Sequence, residues 1–334
     1  MRLFLFSGAL LLALTGSTGR AAPADLAATL ATFEQDLHPD LRSILVLQDG
    51  RVVAERYYNG ETADTLHDVR SAGKSITALL VGTAVDRGLI RATSDPVGAY
   101  WKAAQGSAAG KVPLDSLLTM RSGLAAFDDD PQSPGNEDKM DEAADTPRFI
   151  LATPAAAPPG TLYRYNSLGA HLAALTLEQA SKQDLEDYAR TALFAPLGIT
   201  RWQWARDASG HPKGQGNLSL RTRDLGALGQ LVLDRGVHAG RRIVSTRWLD
   251  AMLAPHVDIA KVDRYADTYG YFWYAKTHVL DGKPVLVHFA SGNGGNKIYV
   301  VPSRREVVVI TSSAYGKGYG QLRSETILKT ILAQ

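Results

Sequence analysis

Strand-like patterns stand near both ends of the chain. Residues 43–48 and 51–58 are rich in Val, Ile, Leu and Tyr, and Asp49-Gly50 between them suits the tight turn of a hairpin. Apolar or alternating runs return late in the chain, and an amphipathic helix from about Gln321 closes it. These later strands are predicted at 269–280, 284–290, 296–301 and 306–312. Because an early hairpin and a late meander can pair, the pattern predicts one antiparallel sheet built from both ends of the chain.

The middle of the chain has the period of helices. The first predicted helix opens at Ser71 and is placed to end at Gly88. Further helices are predicted at 114–119, 147–151, 168–180, 185–193 and 222–234. We therefore expect an α/β (α+β) fold of two domains. A sheet domain comprises 22–68 and 236–334, and a helical domain, 69–235, is inserted between them, with the active site in the cleft.

The segment 127–145 interrupts the helical pattern. It is acidic and contains Pro131, Pro134 and Gly135, which predicts a long surface loop. Loops of this length often line functional sites, so two interpretations stand: a solvated excursion, or one rim of a site.

Composition places the chain among globular proteins. Its 334 residues are 45% hydrophobic and 21% charged, which is enough for one large core or two joined ones. Lys and Arg number 36 against 34 Asp and Glu, and this near balance gives no reason to expect nucleic acid as a partner. The chain has no Cys, and its eight His show no metal-binding spacing, so neither a metal nor another cofactor is expected.

The N-terminus has the pattern of an exported protein. Arg2 is followed by an apolar run at 3–14, and Gly-Arg-Ala at 19–21 offers small residues for cleavage. The run is too short to span a bilayer, and nothing later in the sequence has the pattern of a transmembrane segment. We expect residues 1–21 to be a signal peptide, leaving a periplasmic or secreted protein with no membrane span. The alternative is a buried first helix.

A serine and a lysine one helical turn apart open the first predicted helix. In Ser71-Ala72-Gly73-Lys74 the two outer side chains share a face, with Cβ atoms about 5 to 6 Å apart. A serine hydroxyl needs a base within reach, and an amine can serve where burial and the positive end of a helix lower its pKa. The spacing alone is common, and it also fits a helix cap beside a solvated lysine.

Two further motifs follow in a characteristic order. Residues 159–167 (Pro-Gly-Thr-Leu-Tyr-Arg-Tyr-Asn-Ser) form a turn into an apolar helix, and residues 290–296 (Ala-Ser-Gly-Asn-Gly-Gly-Asn) form a Gly-rich strand end. With the Ser-x-x-Lys helix before them, they resemble the serine β-lactamase-related superfamily of class C β-lactamases, DD-peptidases, esterases and 6-aminohexanoate-dimer hydrolases. The resemblance covers essentially the whole chain after the predicted signal. It implies a β-lactamase/transpeptidase-like fold, with an antiparallel sheet flanked by helices plus an all-helical lobe.

The resemblance implies catalytic roles for three residues. Ser71 corresponds to the acylated nucleophile and Lys74 to its proton acceptor. The Tyr of the second motif falls by position on Tyr165, the proton shuttle, and a phenol next to a cation suits that task. Tyr163 is the fallback for this role and is otherwise a core residue.

The resemblance also implies a wall that contacts the substrate. Ser291 stands where a hydroxyl faces the substrate, and Gly292 lets the backbone approach it closely. The N–H of Asn293 is expected to join that of Ser71 in holding an oxyanion. Ser167, at the end of the second motif, is expected in the same substrate-binding region.

Two departures from the family pattern bear on the substrate. The second motif has Tyr-Asn-Ser where class C β-lactamases have Tyr-x-Asn, and the third motif has no Lys. That lysine normally attracts the carboxylate of a penicillin or of a terminal D-amino acid, so its loss disfavours both. The motifs look most like the esterase and 6-aminohexanoate-dimer hydrolase branch. We therefore expect turnover of short-chain p-nitrophenyl esters and poor turnover of cephalosporins.

The sequence thus predicts an exported serine hydrolase that cleaves an ester or amide bond of a small molecule. One alternative is a β-lactamase or DD-peptidase acting on peptidoglycan-type substrates. Another is a non-catalytic binding or sensor protein on the same fold, although the presence of Ser71, Lys74 and Tyr165 together favours an enzyme.

Overall fold

The computed structural model describes residues 23–334, so the predicted signal segment at 1–21 lies outside the described residues. The strands of the described part are β1 (Leu41–Gln48), β2 (Arg51–Tyr57), β3 (His67–Asp68), β4 (Gln203–Trp204), β5 (Leu218–Leu220), β6 (Val237–His238), β7 (Arg241–Arg242), β8 (Val257–Asp258), β9 (Thr268–Tyr269), β10 (Tyr274–Leu280), β11 (Lys283–Gly292), β12 (Asn296–Val301) and β13 (Glu306–Ser312). The α-helices are α1 (Pro23–Thr32), α2 (Ala72–Asp86), α3 (Leu114–Leu118), α4 (Glu137–Glu142), α5 (Thr146–Ala152), α6 (Ser167–Ser181), α7 (Leu185–Ala189), α8 (Thr222–Leu233), α9 (Thr246–Leu253) and α10 (Tyr319–Leu332).

One eight-stranded antiparallel sheet unites the two ends of the chain. Its strand order is β2-β1-β13-β12-β11-β10-β9-β8, so the early hairpin pairs with the last strand of the late meander, as the sequence predicts. In this junction Ile44 lies opposite Ile310 and Leu45 opposite Val309. Every residue of β12 and β13 is buried, which is typical of central strands covered on both faces.

The predicted strand at 269–280 is interrupted. β9 ends at Tyr269 and β10 begins at Tyr274, because the backbone between them turns away from a regular ladder. Phe272 there has a φ of 56°, and a Cβ added to Gly270 would lie 2.2 Å from the carbonyl oxygen of Met252. The close backbone contact and the left-handed residue explain why one apolar run forms two strands.

The helices predicted in the middle of the chain are present, with α2 at their centre. Its residues from Ala72 to Ala84 are all buried, and it packs against α6 and against β11. The division of the chain into two domains stays a prediction. α8, which the sequence placed in the helical domain, packs on the sheet, where a Cβ added to Gly226 would lie 2.7 Å from Leu45.

The acidic segment at 127–145 is not a loop throughout. It contains α4, whose first turn is capped by the side chain of Asn136 accepting from the N–H of Asp138. Asn136 is buried, and its Nδ2 donates to the carbonyl oxygens of Asp128 and Asp130. The segment is therefore folded back on itself by one amide side chain. Among the described helices, none is long and apolar enough to cross a membrane.

Candidate active site

The Ser-x-x-Lys pair lies at the start of α2 with its side chains in contact. Lys74 is 1% exposed, and its Nζ donates to Ser71 Oγ at 2.9 Å, to Ser167 Oγ at 3.0 Å and to the carbonyl oxygen of Gln215 at 2.8 Å. An ammonium group has three N–H donors, and these three acceptors use all of them. The arrangement therefore suits a protonated lysine that touches the serine hydroxyl. Gln215 could not be predicted from the sequence, because any residue type can supply a backbone carbonyl.

The environment of Lys74 contradicts the expectation that its pKa is lowered. Burial acts to lower its pKa, as the sequence suggests, but Tyr165, Glu137 and Asp128 nearby outweigh burial and raise the pKa of Lys74 above its ordinary value. The resting lysine is therefore a cation, and a neutral amine waiting to accept the proton of Ser71 is not favoured.

Asp128 is a site residue that the sequence reasoning named only as part of an acidic segment. Its Oδ2 accepts from the backbone N–H of Ser167 at 2.7 Å, whereas its Oδ1 is buried without a hydrogen-bond partner among the described residues. Burial raises the pKa of Asp128 to about 6, although the positive charge of Lys74 acts in the opposite direction. The acidic segment thus contributes to the site, and it is not only a solvated excursion.

Tyr165 lies over the same lysine. Lys74 Nζ is 5.1 Å from the centre of the Tyr165 ring, and Tyr165 lines the cleft. The next residue, Asn166, caps α6 by accepting from the N–H of Gly169 at 2.7 Å, and this cap fixes the turn that carries the tyrosine. Tyr163, the fallback, instead packs edge-on against Tyr269 with ring centres 5.6 Å apart.

The Gly-rich strand end lies directly against the turn that carries Ser71. A Cβ added to Gly292 would lie 1.9 Å from the carbonyl oxygen of Val69 and 3.1 Å from the N–H of Ala72. Within the described part of the chain, the backbone N–H groups of Ser71 and Asn293 make no hydrogen bond. Two free donors on the two sides of this contact are what an oxyanion site needs.

A lysine that the motif reasoning did not consider joins the third motif. Lys297 on β12 lies opposite Ser291 on β11, and its Nζ donates to Ser291 Oγ at 2.7 Å. Burial lowers the pKa of Lys297 to about 7, although Asp263 and Glu325 act to raise it. The third motif lacks a lysine in sequence, but the neighbouring strand supplies one in space.

These groups meet in a cleft of about 480 Å³. Ser71, Tyr165, Ser291, Gly292 and Asn293 line it, together with Arg70, Asp128, Asp129, Glu137, Asp138, Asp141, Gln215, Gly216, Asn217, Asp263, Tyr265, Tyr274, Phe289, Lys297 and Gln321. Ser167 does not line the cleft. It is fully buried and contacts Lys74 from behind, so the structure places it in support of the lysine and not against a substrate. No group of three or more metal-ligating side chains is found in residues 23–334.

The sequence matches a known protein family and a curated relative. The family model described as Beta-lactamase matches residues 38–330. Over 242 residues the chain is 29% identical to a 6-aminohexanoate-dimer hydrolase of Paenarthrobacter ureafaciens, and the alignment covers 69% of this chain and 61% of that protein. The chain therefore matches less than two thirds of the length of this relative.

Solved structures share the fold. EstCE1, a hydrolase with promiscuous acyltransferase activity, superposes with a TM-score of 0.74 at 16% identity, covering 94% of this chain and 100% of its own. A class C β-lactamase from Rhodobacter sphaeroides superposes with a TM-score of 0.66 at 17% identity, covering 94% of this chain and 100% of its own. The predicted β-lactamase/transpeptidase-like fold is confirmed.

Proposed function

We propose that this chain, which belongs to the β-lactamase family, is a serine hydrolase of the esterase or amidase type with Ser71 as its nucleophile. The observation that carries the proposal is the 2.9 Å contact between Lys74 Nζ and Ser71 Oγ at a cleft of about 480 Å³, which is large enough for a small molecule. A serine hydroxyl in contact with a buried cation, beside free backbone N–H donors, is suited to acyl transfer.

The proposed first step is acylation of Ser71. Tyr165 acts as a phenolate, whose negative charge the ammonium group of Lys74 stabilises. It accepts the proton of the Ser71 hydroxyl and becomes a neutral phenol while Oγ attacks the carbonyl carbon of the substrate, and Lys74 stays protonated throughout. This division of roles follows from the raised pKa of Lys74, because an ammonium group has no lone pair with which to accept the proton of Ser71.

The tetrahedral intermediate is held by backbone donors. The N–H groups of Ser71 and Asn293 bind the oxyanion, and its collapse breaks the bond to the leaving alcohol or amine. Tyr165 returns its proton to that leaving group. Water then attacks the Ser71 ester, Tyr165 accepts a proton from the water, and the same proton restores the Ser71 hydroxyl as the product acid departs.

A fluorophosphonate probe tests the nucleophile. The probe is expected to label the wild-type protein at Ser71 and to leave Ser71→Ala unlabelled, because only an activated serine attacks phosphorus at a useful rate. Ser75→Ala is a matched control, since Ser75 is on the same helix but its hydroxyl is buried and donates to the carbonyl oxygen of Phe272. Equal labelling of the wild type and Ser71→Ala, or none of the wild type, would refute the proposal.

A substrate panel separates the proposal from its alternatives. We expect the purified protein to hydrolyse short-chain p-nitrophenyl esters and to lose this activity in Ser71→Ala. Turnover confined to β-lactams or D-alanyl-D-alanine peptides would favour the lactamase or peptidase alternative. Binding of such compounds without turnover would favour a sensor.

A further inference from the structure

The loop between β4 and β5, residues 205–217, supplies one of the acceptors that hold the ammonium group of Lys74. The carbonyl oxygen of Gln215 accepts from Lys74 Nζ at 2.8 Å. The preceding carbonyl oxygen, that of Gly214, accepts from the hydroxyl of Thr77 on α2, also at 2.8 Å. The loop therefore contacts α2 through its backbone, and its position decides where the Gln215 carbonyl lies.

A buried histidine of α6 contacts the same loop from the other side. His171 is fully buried, and its Nδ1 accepts from the backbone N–H of Gly214 at 3.2 Å. Its Nε2 lies 2.9 Å from Oδ2 of Asp207, whose side chain is 3% exposed. Because a backbone N–H can only donate a hydrogen bond, Nδ1 is an acceptor and the ring is the neutral tautomer with its proton on Nε2. His171 thus joins α6 to a carboxylate and to the residue before Gln215.

Asp207 has the environment of a carboxylate that accepts hydrogen bonds. Its Oδ1 accepts from the backbone N–H groups of Ser209 and His211, both at 2.9 Å. Burial acts to raise the pKa of Asp207, but hydrogen bonds from His171 and from the N–H of His211 outweigh burial and lower this pKa below its ordinary value. A carboxylate that faces Nε2 favours the tautomer that leaves Nδ1 free to accept from Gly214.

Helix α6 connects two of the three acceptors around Lys74. Ser167, whose Oγ accepts from Lys74, is the first residue of α6, and His171 follows one turn later. Through its contact with the loop, His171 holds the residue before Gln215, whose carbonyl is the second acceptor. The third acceptor is Ser71 Oγ. When the first two acceptors are fixed, the remaining N–H of the ammonium group is directed at Ser71.

We propose that His171 is a positioning residue of the hydrolase, which fixes the carbonyl of Gln215 on Lys74. The inference rests on the proposed function, because it concerns the proton transfer at the same serine. With the carbonyl in place, one N–H of the ammonium group points at Ser71 while the charge stays close to the ring of Tyr165. Without it the ammonium group turns freely, and the serine and the phenolate lose the geometry that acylation needs.

Asp207→Asn tests the tautomer without changing the size of the side chain. The two backbone N–H groups that bind Oδ1 keep the amide oxygen of the variant at that position, so its NH2 group faces Nε2 of His171. Nε2 must then accept, the ring proton moves to Nδ1, and the N–H of Gly214 loses its acceptor. We expect kcat for a short-chain p-nitrophenyl ester to fall about tenfold or more, with KM changed by less than about twofold, because the effect acts on Lys74.

Two variants of His171 separate its two contacts. The amide oxygen of His171→Asn reaches the position of Nδ1 and keeps an acceptor for Gly214, whereas the amide nitrogen of His171→Gln reaches the position of Nε2 and keeps only the donor to Asp207. We expect His171→Asn to retain most of the wild-type kcat and His171→Gln to lose as much as Asp207→Asn.

His211→Ala is the matched control for the stability of the loop. His211 Nδ1 lies 2.6 Å from Oε2 of Glu178 on α6, so this second pair also ties the loop to α6, but it does not involve Gly214. The backbone N–H that His211 donates to Asp207 is kept in the variant. We expect His211→Ala to lower the melting temperature and to leave kcat unchanged.

Heteronuclear NMR of the Lys74 ammonium group gives a readout that does not depend on turnover. An ammonium group that is buried and held by three acceptors exchanges its protons slowly with water. We expect a resolved Nζ–H signal, assigned by its absence in Lys74→Arg, in the wild type, in His171→Asn and in His211→Ala. The signal is expected to be lost in Asp207→Asn and in His171→Gln.

The outcomes are distinct from those of the proposed function. An unchanged kcat or an unchanged Lys74 signal in Asp207→Asn would overturn the positioning role. Equal losses of kcat in both variants of His171, or the same loss in His211→Ala, would also overturn it, because the stability of the loop would then be the cause. If the variants of His171 fail to fold, Asp207→Asn and His211→Ala still decide the question. Failure of the fluorophosphonate labelling refutes Ser71 as the nucleophile, and the Lys74 signal then decides the positioning role alone.

Discussion

At the scale of single residues, Asp128 illustrates how the site uses a charge that the fold disfavours. Burial raises the pKa of its carboxyl group to about 6, and the negative charge of the ionised group helps to raise the pKa of Lys74. The folded protein therefore holds a proton on Asp128 more tightly than the unfolded chain between pH 3.8 and about 6. Stability is lost as pH rises through this window, and the full cost of the charge is present above it.

Asp128→Asn tests this balance. The neutral amide keeps an oxygen to accept from Ser167, so the variant is expected to be more stable than the wild type at pH 7 by about 1–2 kcal/mol. The difference is expected to vanish near pH 4. Because Lys74 loses a neighbouring negative charge, the alkaline limb of kcat/KM is expected to move to lower pH. Denaturant unfolding and a pH-rate profile measure the two effects.

A surface carboxylate of the same segment provides the control. Asp130 is exposed, and Asp130→Asn is expected to move neither the alkaline limb nor the pH dependence of stability. A variant of Asp128 that lost stability at pH 7 would contradict the assigned cost. An unshifted alkaline limb would contradict its electrostatic link to Lys74.

The residues that sequence reasoning missed share one physical property. Ser71, Lys74 and Tyr165 belong to short sequence motifs, in which the spacing of the residues determines where their side chains lie. The structure brings all three together. Lys297 and Asp128 reach the cleft through strand register and through the folding of an acidic segment, and neither is encoded in short-range spacing. Only the pairing of β11 with β12 places Lys297 opposite Ser291.

At the scale of elements, the contact between β11 and the turn before α2 sets the geometry of the cleft. Gly292 allows it, because an added Cβ would lie 1.9 Å from a backbone oxygen of Val69, which no side-chain rearrangement can relieve. The same strand end contains Ser291 and leads directly into Asn293. Gln321 donates to the carbonyl oxygen of Gly292 at 2.9 Å. Any displacement of β11 therefore moves the substrate wall relative to the nucleophile.

Gly292→Ala is expected to separate these two elements. The backbone clash forces β11 away from Ser71, which we expect to slow esterase turnover and fluorophosphonate labelling by about a hundredfold or more and to destabilise the protein by about 1–3 kcal/mol. Gly318→Ala is the matched control, because Gly318 has a φ of −59° and open space around its Cβ position. A Gly292→Ala protein labelled at the wild-type rate would contradict the role of this contact.

The elements themselves were largely predictable, for reasons of periodicity. β12 and β13 have the predicted bounds, because short, mostly apolar runs between turn residues are typical of buried strands. The break between β9 and β10 was not predicted, because it depends on the close approach of Met252 to Gly270. α4 was also missed, since a short acidic helix held by the cap of Asn136 has no apolar periodicity.

At the scale of the whole molecule, the sheet joins residues more than 250 positions apart, with Ser43 opposite Thr311. The described segment before β1 contains α1, which packs against β2 and α10. We propose that the protein is exported and loses residues 1–21, which lie outside the described residues.

Export is tested by fractionation of cells that express the full chain. We expect the protein in the periplasm or medium with Ala22 at its N-terminus, because a basic start, an apolar run and small residues at 19–21 are typical of a signal peptide. Leu11→Arg places a charge in the apolar run at a cost of about 2.5–3.5 kcal/mol and is expected to hold the uncleaved chain in the cytoplasm. Leu11→Ile, which keeps the run apolar, is expected to be exported normally. An intact N-terminus on wild-type cytoplasmic protein would refute export while leaving the hydrolase untouched, since the chain lacks Cys and needs no oxidising compartment to form disulfides.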